Sequence, residues 1–304
     1  GVNRYPDPQQ RNLKSVLAVQ KGVDTSQILL GNGSDEVLDL LFRAFCEPKE
    51  DNIISLPPTY GMYKVLSNIN NIENREVLLT EDFQPNVAEI LKIMDQRSKL
   101  LFICSPNNPS GNGISSAAIR ELLTKFNGLV VIDEAYIDFS KDTSWLVELS
   151  NFPNLVVTQT LSKAYGLAGI RLGICYASKE VIAVLNKIKP PYNVNELTQQ
   201  RALKRIQDPE KVNQEVTDIL RERNALEAVL GNIGFVEKTY PTDANFILAK
   251  VDDATKRYDQ LVKAGIVVRN RTTQPLCTNT LRFTVGTAAE NSKLIERLKE
   301  IDNQ

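Results

Sequence analysis

Over the first two hundred residues, short continuous apolar runs alternate with segments whose apolar positions recur every three or four residues. The runs cover 28–30, 52–56, 76–79, 99–104, 129–132, 155–158 and 172–176, rich in aliphatic and β-branched side chains. Between several of them lie helical patterns such as VAEILKIMDQ and SAAIRELLTKF. Strands that are apolar along most of their length, separated by helices, predict a mostly parallel sheet buried on both faces. This part of the chain therefore reads as an α/β unit.

The pattern changes after Lys189, Pro190 and Pro191. Val212, Val216, Ile219, Leu226 and Val229 mark a long amphipathic helix, which Gly231 and Gly234 close. Strands are expected at 245–251, 265–269 and 280–285, followed by a charged helix from Ala289. The expected division is a large unit at 19–199 and a smaller α+β unit at 200–304, joined by 1–18. No internal repeat, low-complexity stretch or flexible linker interrupts this organisation.

Composition narrows the function classes. At 304 residues, with 42% hydrophobic and 24% charged residues, the chain supports a full core in an ordinary globular protein. Its 36 basic and 37 acidic residues argue against nucleic acid or an anionic membrane as the main partner. No apolar run reaches the roughly 18 residues of a membrane span, and no signal-peptide pattern opens the sequence, so a cytoplasmic location is expected. Cys46, Cys104, Cys175 and Cys277 form no CxxC pair, which favours reduced thiols over disulfides or a zinc site. Histidine is absent. That excludes Ser-His-Asp hydrolysis, histidine metal sites and imidazole acid–base chemistry. Proton transfer near neutral pH then falls to a tuned lysine, cysteine, tyrosine or carboxylate.

Open α/β sheets bind ligands beyond the carboxyl ends of their strands. Those ends carry GNGSDE, PPTYGMY, SPNNPSGN, DEAYIDF and TLSKAYGLAGIRLG. Gly31, Gly33, Ser34 and Asp35 sit where a helix begins, a place that suits either an ordinary cap or a phosphate. Asp133 ends an apolar strand, where a carboxylate needs a cationic or protonated partner. Tyr60 and Tyr136 suit core packing, and Asn108 suits a turn, as well as they suit a ligand. Lys163 discriminates. It follows a strand end among small and apolar residues, at a helix start that a cation does not prefer. A free lysine is a poor nucleophile at neutral pH, and an imine removes that difficulty. A lysine, a strand-end aspartate, an anion-binding helix start, an asparagine and tyrosines are together the parts of a pyridoxal-phosphate site.

In order, NRYPDP, GNGSDE, PPTYGMY, SPNNPSGN, DEAYIDF, TLSKAYGLAGIRLG and LRFTVGT resemble the histidinol-phosphate aminotransferases. The likeness runs from Asn3 to about Gly286. It implies a fold-type I pyridoxal-phosphate transferase, with a mostly parallel seven-stranded sheet sandwiched by helices and a smaller α+β domain. It also implies that histidinol phosphate and 2-oxoglutarate are converted to imidazole acetol phosphate and glutamate, in histidine biosynthesis.

The same resemblance assigns roles. Lys163 carries the cofactor as an imine and moves the proton between substrate and cofactor, while Asp133 pairs with the pyridine nitrogen. Asn108 and Tyr136 bond the phenolic oxygen, and Tyr60 stacks on the ring. Asn108 and Tyr60 also lie within reach of substrate. Ser34 and Asp35 (through backbone N–H groups), Ser162, Arg171 and Thr160 hold the cofactor phosphate. Tyr5 reaches the phosphate of the partner subunit, so the active unit is expected to be a homodimer. Arg282, helped by Arg269, receives the substrate phosphate and the carboxylate of glutamate; a guanidinium fork suits both anions. The family also carries an N-terminal arm ahead of NRYP, whereas this sequence opens at Gly1. Alternatives within the fold are an aromatic or broad aminotransferase and a threonine-phosphate decarboxylase. A non-catalytic ligand sensor would need a fused DNA-binding segment or a degraded lysine site, and the sequence shows neither.

Overall fold

The computed structural model describes residues 3–303. The larger sheet contains β1 (Ile28–Asn32), β2 (Asn52–Ser55), β3 (Glu73–Glu76), β4 (Ser98–Cys104), β5 (Leu129–Asp133), β6 (Leu155–Thr160) and β7 (Leu172–Ala177). Their order is β1-β7-β6-β5-β4-β2-β3. The pairs from β3 across to β6 are parallel, and β7 runs antiparallel to both β6 and β1. Side chains alternate between faces, as strand geometry requires. Along β4, Leu100 and Phe102 join one core, while Leu101 and Ile103 join the other. Both faces are buried, so these strands are apolar throughout, as the sequence pattern predicts.

Helices α1 (Arg11–Lys21), α2 (Ser34–Phe45), α3 (Met62–Ile69), α4 (Val87–Ile93), α5 (Ser116–Lys125), α6 (Lys179–Ile188) and α7 (Glu196–Ile206) accompany this sheet. Their starts are chemically marked: Asn86, Ser115, Ser178 and Asn195 each accept a backbone N–H from the first turn. Leu13, Leu17 and Ala18 of α1 enter the core of the large sheet, and α1 contacts α7.

The smaller sheet is antiparallel, in the order β10-β11-β9-β8, from β8 (Val236–Thr239), β9 (Phe246–Val251), β10 (Arg269–Asn270) and β11 (Thr280–Thr284). It packs with α8 (Pro209–Leu230), α9 (Ala254–Lys263) and α10 (Ala288–Asp302) around Leu226, Leu230, Leu261, Leu281, Phe283 and Leu298. Pro209 opens α8 behind an Asp208 cap, and Thr287 with Glu290 closes a capping box on α10. A small cluster of Tyr136, Phe139, Ala164, Ala244 and Phe246 joins the two sheets' units beside the strand ends.

Three details depart from the periodicity. The strand expected at 76–79 lies at Glu73–Glu76, where the edge of the sheet tolerates charged residues such as Arg75, which pairs with Glu73 and Asp95. Val77 and Leu79 are buried just beyond it, which is why the apolar signal is displaced. The expected strand at 265–269 shrinks to Arg269–Asn270, and the polar edge strand β8 carries no alternation to announce it. All four cysteines are buried and unpaired.

Candidate active site

The carboxyl ends of the parallel strands open onto a cleft lined by Ser34, Asp35, Tyr60, Cys104, Asn108, Asp133, Ala135, Tyr136, Thr160, Ser162, Lys163 and Arg171. All but Cys104 and Ala135 are residues that the sequence singles out. Cys104 enters because it ends β4 directly beside Asp133 in the parallel register.

One end of the cleft is built to receive an anion. β1 turns through Gly33, at φ 81°, into the first turn of α2, which carries no side-chain cap and whose Ser34 and Asp35 line the cleft. A side chain at Gly33 would place its Cβ 2.4 Å from Arg171 Nη2, and one at Gly173 would lie 2.3 Å from the Ser34 nitrogen. These two glycines let α2, Arg171 and β7 meet. Arg171 itself has φ 56°, and its guanidinium lies 3.4 Å from the Asp35 carboxylate. Asp35 also accepts the Tyr60 hydroxyl at 2.9 Å, so its side chain spans the helix start, an arginine and an aromatic ring. Thr160 donates to the Ser162 hydroxyl at 3.0 Å and receives the Ser162 N–H at 3.2 Å.

The floor holds a buried acid and a shielded amine. Asp133 is 3% exposed. Its Oδ2 accepts the Tyr63 hydroxyl at 2.8 Å and its Oδ1 accepts the Ala135 N–H at 3.2 Å. Burial pushes its pKa up, against these hydrogen bonds. Lys163 is half-buried, with Nζ 5.3 Å from the centre of the Tyr136 ring. Burial, then the nearby Arg282 charge, push its pKa down, opposed by Asp133 and Asp35. Tyr136 packs edge-on against Phe246 at 5.2 Å, and burial pushes its phenol up to about 12.

The far side is supplied by the smaller sheet. Arg282 Nη1 donates to Asn108 Oδ1 at 2.6 Å, and its guanidinium lies 4.6 Å from the centre of the Phe246 ring. Its Nε is buried without a hydrogen-bond partner. Arg269 is exposed and stands opposite Arg282 in the β10–β11 register. Arg271, which the sequence reading does not name, is half-buried nearby; its Nε also lacks a partner, and burial followed by the Arg269 charge depresses its pKa. Its only local signal is its spacing, two residues beyond Arg269. Tyr5 does not line the cleft. It is 80% exposed and stacks on Tyr192 at 4.5 Å.

Residues 1–298 match the family described as aminotransferase class I and II. A histidinol-phosphate aminotransferase of Flavobacterium johnsoniae is 68% identical over 98% of this chain and 86% of its own length. The crystal structure of the histidinol-phosphate aminotransferase from Clostridium acetobutylicum superposes with a TM-score of 0.92 at 26% identity, covering 99% of this chain and 91% of that one. That from Sinorhizobium meliloti, solved in complex with pyridoxal-5'-phosphate, gives 0.91 at 22% identity, covering 99% and 83%.

Proposed function

The chain belongs to the class I and II aminotransferases, and we propose that it transfers the amino group of L-histidinol phosphate to 2-oxoglutarate. The products are imidazole acetol phosphate and glutamate, a step of histidine biosynthesis, and pyridoxal phosphate is the cofactor. The substrate assignment rests on the 68% likeness to the Flavobacterium johnsoniae protein. The observation that carries the chemistry is the meeting of a buried carboxylate, Asp133, and a shielded amine, Lys163, in one cleft at the strand ends.

The residues present fit that cofactor. Among the described residues, the hydrogen-bond donors to the buried Asp133 are neutral, so a protonated ring nitrogen would supply the charge it lacks. The helix start at Ser34, the Ser162 hydroxyl and Arg171 suit a phosphate, and a Cβ at Gly33 would collide with the arginine that completes the set. Once bound, pyridoxal phosphate supplies an electron sink for the carbon that carries the amino group.

The chain's own residues do the rest. Asp133 would hold a proton on the ring nitrogen. Lys163 Nζ, its pKa depressed by burial and by Arg282, takes up and returns the proton of the substrate α-carbon. Tyr136, a neutral phenol at working pH, and Asn108, whose Oδ1 is taken by Arg282 and whose Nδ2 is left to donate, would hold the ring hydroxyl oxygen. Tyr60, anchored through its own hydroxyl by Asp35, would cover the ring. Thr160 orients Ser162. Arg282 binds the substrate phosphate and, in the other half-reaction, the glutamate carboxylate; Arg269 and Arg271 add charge at the same end.

We place the enzyme in the cytoplasm as a homodimer, with the exposed Tyr5 reaching the neighbouring subunit's phosphate. We keep the two-domain division at 19–199 and 200–304, and the packing of Leu13 and Leu17 on the large core favours assigning residues 11–18 there. The deciding experiment is a substrate screen with histidinol phosphate, aromatic amino acids and threonine phosphate, using 2-oxoglutarate as acceptor. Selective formation of glutamate from histidinol phosphate supports the assignment. Carbon dioxide release from threonine phosphate, without glutamate, would replace it with a decarboxylase.

A further inference from the structure

Tyr63 is fully buried, yet its polar atom lies against the one acid on which the cofactor assignment depends. Its ring stacks on Phe102 at 4.7 Å, and Phe102 stacks on Phe42 at 5.3 Å, so the hydroxyl's direction is set by a column of three rings. Tyr60 meets Tyr63 edge-on at 5.7 Å. A phenylalanine would fill the same column. What tyrosine adds is a single O–H, and burying one is unfavourable unless it is used.

We propose that Tyr63 is a positioning residue, whose hydroxyl keeps the Asp133 carboxylate oriented and ionised for the cofactor's ring nitrogen. This rests on the assignment of pyridoxal phosphate to the cleft. The groups that face Asp133 come from every element around it. They are Tyr63 from α3, Cys104 from β4, Thr158 from β6, Asp35 from α2, and Lys163, Tyr60 and Tyr136 from the loops. Among the described residues, Tyr63 closes a side-chain hydrogen bond to that carboxylate at 2.8 Å, while the Thr158 hydroxyl, buried beside it and favouring the charged form more weakly, falls outside bonding geometry. Burial and the Asp35 charge favour a neutral acid at Asp133; the Tyr63 bond opposes them most, followed by the Ala135 N–H and the Thr158 hydroxyl. Tyr63 stays a donor throughout, because burial and the Asp133 charge hold its phenol well above its ordinary range. A neutral Asp133 would not hold a proton on the ring nitrogen, so the second tyrosine of PPTYGMY acts through the aspartate.

The test is a double-mutant cycle on the apoprotein, with Tyr63→Phe, Asp133→Asn and both together. The readout is the dissociation constant for pyridoxal phosphate from pH 6 to 9. Tyr63→Phe is expected to weaken binding about tenfold in the native background. The loss should deepen as the pH falls, because removing a donor to the charged form raises the pKa of Asp133. In the Asp133→Asn background the same substitution is expected to change affinity less than about twofold. Equal losses in both backgrounds would mean that Tyr63 only packs, and no loss in either would mean that its hydroxyl is idle; each overturns the proposal. Failure of the unaltered apoprotein to bind pyridoxal phosphate would instead overturn the cofactor assignment, and this inference with it.

Discussion

Arg282 donates to the Asn108 side chain at 2.6 Å, a bond that crosses from β11 of the small sheet to the loop after β4 of the large one. The group read as the substrate's anion receptor is thus held by a group read as a cofactor contact. Arg282→Lys keeps the charge and loses the fork. We expect KM to rise roughly 10- to 100-fold for both histidinol phosphate and glutamate, the loss of about one charge-assisted hydrogen bond. Steady-state kinetics with each substrate varied in turn checks this. A change confined to one substrate would show that the two anions do not share the arginine.

Lys163→Ala removes the amine that lines the cleft. The variant should retain part of its cofactor affinity, since the anion end is untouched, but lose the absorbance of lysine-bound pyridoxal phosphate. Turnover should fall by at least about 10³-fold, within the range set by loss of a positioned acid–base group. Absorbance spectra and single-turnover rates on the same preparation test both halves.

Asp133→Asn exchanges a charge for a neutral isostere in a site that is 3% exposed. The fold should persist and the rate should fall about 10²-fold or more, because stabilisation of developing charge is lost. Circular dichroism beside turnover separates the two effects. An unchanged rate would assign the ring proton to another group.

Lys14, on α1, is buried and its pKa is pushed down from 10.5 to about 8, first by burial and then by the charge of Lys189. The unfolded chain therefore binds more protons between pH 8 and 10.5, so native stability rises with pH across that window. At pH 7 the buried charge is destabilising, by up to about 3 kcal/mol at 1.36 kcal/mol per unit. Lys14→Met should stabilise the protein at pH 7 and lose that advantage by about pH 10.5. Urea unfolding at pH 7, 8, 9 and 10 measures the trend, and a constant difference would show that Lys14 does not titrate in this way.

Most of the cleft is legible in the sequence because a strand buried on both faces stays apolar until it ends. The first polar residue after LVVI is Asp133, and VVTQT leads directly to Ser162 and Lys163. The elements that escape are those with the least core to announce them. β3 reads ENRE and β8 reads VEKT, both at sheet edges where one side of the strand is free and charge is tolerated. Tyr63 escapes for a different reason. Its partner lies 70 positions away, and no local spacing separates a tyrosine that packs from one that also donates. Arg271 depends on a two-residue strand whose register only the folded sheet supplies.

The antiparallel strand β7 gives the anion end an unusual history. Asn32 of β1 pairs with Leu172 of β7, roughly 140 positions further on, and Gly33 and Ser34 meet Arg171 and Gly173 only once that pairing exists. The helix start and the arginine are thus strangers until β1 docks at the far edge of the sheet. Contacts this distant form slowly, because the chain must close a large loop before they stabilise anything. A ribosome that has delivered β1 through β6 has made the helix start but not the Arg171 and Gly173 segment that completes the phosphate cradle. Capture of the cofactor would mark one of the late events in the maturation of the nascent chain.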